Sequence, residues 1–163
     1  MKKIMILMCT FLLAVIVNAQ TILNETLPNG MEVVVKENSS NTSVAMYCFV
    51  KTGSIHEGDY LGKGLSHYLE HIVSGGATSK HTEEEYAEMV KEIGAMVNAY
   101  TIYGVTAYHI QSDNAHIDKA LQILAENISD CALDSNEIIR EKDVILKEFV
   151  YRVSPPMTQV RNR

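Results

Sequence analysis

The chain has 163 residues, of which 47% are apolar, and a formal net charge of -6 at pH 7. This length and apolar content suffice for one globular domain with a hydrophobic core, but not comfortably for two. The acidic balance, without any run of Lys and Arg, argues against a nucleic-acid-binding role, which normally needs a clustered basic surface.

The start of the chain has the features of a secretion signal. Two lysines precede an apolar run over residues 4–17, and Val17-Asn18-Ala19 fits a signal-peptidase site. We therefore expect a signal peptide at residues 1–19, a mature domain at residues 20–163, and export to a bacterial periplasm or out of the cell. The alternative is an uncleaved anchor, but the run is shorter than the ~20 apolar residues of a span. No later segment predicts a membrane span, so none is expected after cleavage.

Two cysteines, Cys48 and Cys131, lie in the expected mature domain. A disulfide between them is permitted in an exported protein. Cys48 stands in an apolar, strand-like run, which favours a buried free thiol over a disulfide.

Three strands are predicted ahead of the first helix. Leu27-Pro28-Asn29-Gly30 supplies turn chemistry between the first two. The third is apolar throughout, which predicts a strand that is covered on both faces. The predicted strands lie at residues 22–27, 31–36 and 44–50.

Four helices and two further strands are predicted in the rest of the chain. Apolar residues recur every three or four positions in the first of these helices, and a glycine pair ends it. Thr82 and Glu85 form a capping box at the start of the second. The predicted elements are helices at residues 63–73 and 82–94, strands at residues 95–101 and 105–111, and helices at residues 114–130 and 134–153. Strands and helices in such blocks favour an α+β fold over a doubly wound parallel sheet.

The segment His67-Tyr68-Leu69-Glu70-His71 is the first candidate for chemistry. On a helix, His67 and His71 leave the same face one turn apart and can converge on one cation. Zinc binds neutral imidazole and carboxylate groups, and a catalytic zinc site keeps three protein ligands and one position for water. Glu70 fits the role of the carboxylate that takes a proton from that water. A histidine pair alone arises by chance on surface helices, but the order H-x-x-E-H is that of the inverzincins.

A third ligand must come from elsewhere, and the last predicted helix offers Glu141 and Glu148. They are seven residues apart and therefore lie two turns apart on one face. Apolar residues nearby predict partial burial, which is costly for a carboxylate unless it meets a cation or a donor. A zinc ion would meet that need. The alternative is a solvated acidic stripe that is paired with Arg140 or Lys142, and the spacing leaves both open.

At these residues the sequence resembles the pitrilysin/insulinase family of zinc peptidases. The resemblance extends from about Leu27 to Pro156, and its strength lies in the order and separation of motifs that are weak singly. The motifs are Leu27-Pro28-Asn29-Gly30, Gly53-Ser54, Glu57, Gly64-Leu65-Ser66-His67-Tyr68-Leu69-Glu70-His71, Asn98-Ala99-Tyr100-Thr101 and Glu141-Lys142-Asp143-Val144-Ile145-Leu146-Lys147-Glu148.

The resemblance implies an α+β domain with an antiparallel-rich sheet and helices packed on one face. It implies that His67, His71 and Glu148 are the ligands of one Zn²⁺ ion. Glu70 is then implied as the general base, and Glu141 as the acid that supports the site from behind the ligands.

The resemblance also implies a substrate and a partner. Asn98 and Ala99 correspond to an edge strand near the metal, where a peptide or unfolded polypeptide substrate adds as another strand. Residues 72–78 lack the bulky aromatic and the basic residue that are common there, which affects the adjacent pocket and spares the ligands. Family members contain at least two such domains, and a later domain closes over the substrate. We therefore expect a truncated product or fragment, which a second homologous domain or subunit completes and which alone has weak or absent turnover.

The leading hypothesis from the sequence is a zinc-dependent endopeptidase domain that hydrolyses peptide bonds by metal-activated water. The alternatives are a non-catalytic scaffold or partner subunit of the same fold, and an inactive fragment that lacks the closing domain. Intact ligands argue against the scaffold. A solvent-facing helical protein without a site would require the whole set of five site residues to be coincidence.

Overall fold

A computed structural model describes residues 21–153. The predicted signal peptide and the Ser154-Pro155-Pro156 segment lie outside these residues. The contacts divide the chain into two compact units, one ending at Asn41 and the other beginning at Thr42.

The first unit contains an antiparallel hairpin of β1 (Ile22–Thr26) and β2 (Glu32–Lys36). The predicted turn connects them, because the Gly30 N–H donates to the Leu27 carbonyl at 2.8 Å. Gly30 has a φ of 85°, a left-handed conformation that favours glycine. The prediction of two strands around this turn is confirmed.

The second unit is built on a three-stranded antiparallel sheet. Its strands are β3 (Ser43–Val50), β4 (Met96–Thr101) and β5 (Thr106–Asp113), and their order is β3-β5-β4. The central strand β5 pairs with both neighbours along its length. The prediction of an antiparallel-rich sheet is confirmed.

Four α-helices accompany this sheet. They are α1 (Leu65–Gly75), α2 (Glu83–Glu92), α3 (Ile117–Ser129) and α4 (Ser135–Val153), and short 3₁₀ helices lie at Ser54–His56, Gly58–Tyr60 and Asn114–His116. Helices α1 and α3 pack on the sheet, α4 packs on α1, and α2 packs on α3. The predicted α+β class, with helices on one face, is confirmed. Within residues 21–153, no helix combines the length and apolar character that crossing a membrane requires.

The buried core lies between the sheet and the helices. Ile110 of β5 and Ile123 of α3 are its largest fully buried side chains. Tyr86 and Ile93 join this cluster from α2 and the turn after it. The predicted capping box starts α2, because the Thr82 hydroxyl accepts from the Glu85 N–H at 3.2 Å while the Glu85 carboxylate accepts from the Thr82 N–H at 2.9 Å. The second helix therefore begins where the sequence predicts.

The prediction that β3 is covered on both faces is wrong. Met46 and Cys48 pack against the core, but Tyr47 and Phe49 are 46% and 57% exposed. Their rings stack on each other at 5.8 Å, and Tyr47 also stacks on His109 at 4.7 Å. Apolar side chains on this face thus gain contacts along and across strands rather than from a covering helix. A continuous apolar run does not distinguish these two situations.

Both cysteines of the described chain are free thiols and are half-buried. Burial raises the pKa of the Cys48 thiol above its ordinary value, so the unreactive protonated form is favoured. The prediction of a free thiol at Cys48 is confirmed, but its burial is only partial.

Candidate metal centre

Helix α1, which carries the histidines, has a defined residue at each end. Gly64 precedes α1 and has no side chain with which to cap it, and Glu57 from the preceding loop takes that role. Its Oε1 accepts from the Ser66 N–H at 2.8 Å, and an acid at this end of a helix also meets the positive end of the helix dipole. The predicted start at residue 63 is two residues early, since Gly64 has a φ of 76°. Gly76, with a φ of 89°, ends the helix.

The two histidines of α1 meet Glu148 of α4. The Nε2 atoms of His67 and His71 lie 3.8 Å and 3.6 Å from the two carboxylate oxygens of Glu148. One ligand atom from each of the three residues lies within 4.8 Å of the others, and all three residues are partly buried. Two imidazoles and one carboxylate are donors that zinc readily accepts. The residues present therefore fit a zinc ion.

The protonation of His67 also suits a metal ligand. Burial lowers the pKa of His67, and the nearby carboxylates of Glu70 and Glu148 oppose this effect without cancelling it. A ligating histidine must be neutral, because the lone pair on the ring nitrogen binds the ion. The neutral form of His67 is thus favoured before any ion binds.

Glu141 lies behind the second histidine. The Nδ1 atom of His71 lies 3.1 Å from Oε2 of Glu141, and both side chains are mostly buried. With Nδ1–H donating to the carboxylate, Nε2 carries the lone pair, and it is Nε2 that faces Glu148. Arg140 Nε also donates to Glu141 Oε1 at 3.3 Å. Glu141 thus takes part both in the histidine cluster and in the pairing with Arg140 that the sequence left open.

Replacing Glu141 with glutamine is expected to weaken zinc binding about 10- to 100-fold, the usual effect of losing a partner that orients a ligating histidine. Competition with a chromophoric chelator measures the affinity. Glu92→Gln on α2 is the matched control, since Glu92 is an exposed glutamate far from the cluster in sequence. Equal zinc affinities in the Glu141→Gln variant and the wild type would contradict the role of Glu141.

A second side-chain contact ties the two helices of the site together. The Tyr68 hydroxyl donates to the main-chain carbonyl of Ile138 on α4. Tyr68 lies between the two histidines in sequence, so this bond connects the helix of the imidazoles to the helix of the carboxylates. This bond could not be predicted from the sequence, because Tyr68 looks like one more residue of an amphipathic helix.

Glu70 lies beside the histidine cluster and is only 6% exposed. Its Oε2 accepts a hydrogen bond of 2.9 Å from the Thr101 hydroxyl, at the end of β4. Tyr108 of β5 is close enough for the Glu70 charge to contribute to its pKa, which burial above all raises to about 12. The phenol of Tyr108 therefore stays protonated near the carboxylate of Glu70.

One cavity of about 360 Å³ connects these groups with the edge of the sheet. Of the predicted site residues, those that line it are His67, Glu70, His71, Asn98, Ala99 and Glu148. Arg152 lines it as well and contacts Glu148 at 3.3 Å. The i,i+4 spacing of Glu148 and Arg152 was the signal that could have found this pair.

Among the described residues, β4 borders the cavity and pairs only with β5, so its other edge is free. Ile102 N–H donates to the Val105 carbonyl, so even-numbered residues of β4 direct their peptide groups towards β5. The peptide groups of Ala99 therefore point to the free edge. There the Ala99 N–H donates to the side-chain oxygen of Asn98 at 2.9 Å.

Comparisons with known proteins agree on one family. The family model described as Insulinase (Peptidase family M16) matches residues 32–161. An uncharacterized zinc protease of Bacillus subtilis, YmxG, is 35% identical over 131 residues, which are 80% of this chain and 32% of that protein. The mitochondrial-processing peptidase subunit beta of Saccharomyces cerevisiae is 33% identical over 122 residues, 75% of this chain and 26% of that subunit.

A solved structure is similar as well. The crystal structure of a protease from Helicobacter pylori superposes with a TM-score of 0.76 at 30% sequence identity. The alignment covers 85% of this chain and 33% of that chain. The chain thus spans about a third or less of the length of the proteins that it matches.

Proposed function

We propose that this chain, which belongs to the insulinase family of peptidases (family M16), carries the zinc-binding and proton-transfer residues of an endopeptidase. One observation above all supports the proposal. His67, His71 and Glu148 converge from two helices on one point, and the buried carboxylate of Glu70 lines the same cavity. Zinc proteases among the relatives make zinc the expected ion.

The chemistry divides between the ion and the side chains. When bound, a zinc ion lowers the pKa of a water molecule towards ~7 and polarises a carbonyl group. Two imidazoles and the Glu148 carboxylate hold the ion, and Glu141 keeps His71 in the tautomer whose Nε2 can bind it. Glu70, which is not a ligand, accepts the proton of the attacking water and passes it to the leaving amine of the peptide.

The free edge of β4 supports a peptide or unfolded polypeptide as the substrate. An extended chain can add to β4 as a further strand by pairing with the outward peptide groups of Ala99. Asn98 now occupies the Ala99 N–H, so its side-chain amide has to move, or to share that N–H, when a substrate carbonyl arrives. Main-chain pairing of this kind selects for extended substrates rather than for a particular side chain.

The relatives suggest a partner. The mitochondrial-processing peptidase relative is by its name one subunit of a larger enzyme. A second homologous domain or subunit, placed over the cavity, would complete the site of this chain. The same arrangement accounts for our expectation of weak or absent turnover by the chain alone.

Export is part of the proposal. The lysine pair and apolar run at the start of the chain support a signal peptide at residues 1–19. Secretion or a periplasmic location would follow from its cleavage. Sequencing the N-terminus of the protein from a bacterial periplasmic extract is the direct check.

Metal removal tests the proposed activity. The full chain, at high concentration, is incubated with unstructured peptides, and mass spectrometry detects slow cleavage. We expect cleavage in the zinc-loaded chain, its loss after treatment with a zinc chelator, and its recovery on addition of one equivalent of zinc. Cleavage that is indifferent to zinc, or that does not exceed the cleavage by a Glu70→Gln variant, would refute the proposal.

A further inference from the structure

We propose that Thr101 is a positioning residue for Glu70, and that its hydroxyl donates to the Glu70 carboxylate rather than to the neighbouring Thr106 hydroxyl. This inference rests on the proposed function, in which Glu70 is the general base. The sheet thereby contributes to the site a contact that the helices alone do not provide.

Three contacts connect the Thr52 carbonyl, the hydroxyls of Thr106 and Thr101, and the Glu70 carboxylate. The Thr106 hydroxyl donates to the main-chain carbonyl of Thr52 at 2.9 Å. The hydroxyl oxygens of Thr101 and Thr106 lie 3.3 Å apart. The Thr101 hydroxyl donates to Glu70 Oε2 at 2.9 Å. The Thr101 hydroxyl therefore has two acceptors within reach, the Glu70 carboxylate and the Thr106 hydroxyl.

The number of hydroxyl protons determines which of these contacts are hydrogen bonds. Each threonine hydroxyl has one proton to donate. Thr106 uses its proton on Thr52, so it can only accept from Thr101. The carboxylate of Glu70 is both the closer and the more strongly accepting partner. The proton of Thr101 thus points at Glu70.

Burial strengthens the hydrogen bond from Thr101 to Glu70. Glu70 and Thr106 are each only 6% exposed, and Thr101 is half-buried. A hydrogen bond to a charged group is stronger in such surroundings than in water, because water competes less for both partners. The side chain of Glu70 has several rotatable bonds, and a single fixed donor selects one of its orientations. The Glu70 carboxylate is thereby held at the cavity wall.

The sheet is a rigid support for this donor. Thr101 and Thr106 form a cross-strand pair of β4 and β5, on the face that packs against the helices. They are β-branched, which restricts the side-chain torsion χ1. The ligand His71 is oriented by α4 through Glu141, whereas Glu70 is oriented by the sheet through Thr101. The ligand and the base on one helix thus have separate anchors.

Two substitutions separate the hydroxyl from the shape of the side chain. Thr101→Val keeps the shape and removes the hydroxyl, while Thr101→Ser keeps the hydroxyl. Thr26→Val is the matched control, since Thr26 is an exposed strand-end threonine of the other unit.

The first readout does not depend on activity. In a chain with ¹³C-labelled glutamate, the carboxyl resonance of Glu70 is identified by its disappearance in a Glu70→Gln variant. At one fixed pH and without zinc, we expect Thr101→Val to shift this resonance, and Thr101→Ser and Thr26→Val to leave it in place. An unshifted resonance in Thr101→Val would overturn the inference regardless of the measured cleavage activity.

The second readout is the division between kcat and KM. Thr101→Val should lower kcat about 10- to 100-fold, the loss expected for a hydrogen bond to a charged group, with KM and bound zinc unchanged. Thr101→Ser should restore most of kcat. Equal losses in the Val and Ser variants would overturn the positioning role, whereas wild-type cleavage that is indifferent to zinc would refute the proposed function instead.

Discussion

Replacing Glu70 with glutamine is expected to lower the rate of peptide cleavage about 10²–10⁴-fold, the range for the loss of a general base. Glutamine has nearly the same shape and its amide oxygen still accepts from Thr101, but it cannot take a proton from water. Zinc content should stay at one ion per chain, because Glu70 is not among the three side chains whose ligand atoms lie within 4.8 Å of one another. Mass-spectrometric cleavage assays and metal analysis on the same samples measure both quantities.

A matched control distinguishes the base from a general effect of removing an acid. Glu88→Gln on α2 removes an exposed glutamate and should leave cleavage unchanged. Equal cleavage by wild type and Glu70→Gln would contradict the mechanism. Loss of zinc from Glu70→Gln would instead show that Glu70 helps to hold the ion.

Replacing His71 with alanine is expected to weaken zinc binding more than about 100-fold, beyond the largest effect usual for a residue that only supports a ligand. The variant loses one of the three proposed ligands and leaves Glu141 without its imidazole partner. Zinc should raise the melting temperature of the wild type, because an ion that binds only the folded state stabilises it. It should not raise that of His71→Ala.

The control for this variant is an exposed histidine outside the cluster. His116→Ala lies in the 3₁₀ helix ahead of α3 and should bind zinc like the wild type. The zinc-dependent shift in melting temperature therefore separates a ligand from a histidine that merely attracts metal in solution. A normal shift in His71→Ala would contradict its place in the site.

What the sequence could predict is mostly what depends on neighbours along the chain. The capping box of Thr82 and Glu85 needs residues three apart, and the pairing of His67 with His71 needs one helical turn. Both follow from local geometry, and the structure places these side chains accordingly. The α+β class follows from the order of such local elements.

Features that depend on long-range packing could not be predicted from the sequence. Spacing alone could not choose between a zinc ligand and a solvated acid at Glu148, because the choice depends on how α4 meets α1. The hydrogen bond from Thr101 to Glu70 depends on the strand order and on the helix above it. The exposed aromatic face of β3 has the same origin, since a strand's sequence does not specify which faces receive a helix.

Zinc K-edge X-ray absorption shows directly whether His67, His71 and Glu148 hold a zinc ion. The wild-type chain is loaded with one equivalent of zinc. We expect the ion to be bound by nitrogen and oxygen only, at about 2.0–2.2 Å, with the signature of imidazole scattering. A sulfur shell at about 2.3 Å, which would implicate Cys48 or Cys131, or an ion surrounded by water alone, would contradict it.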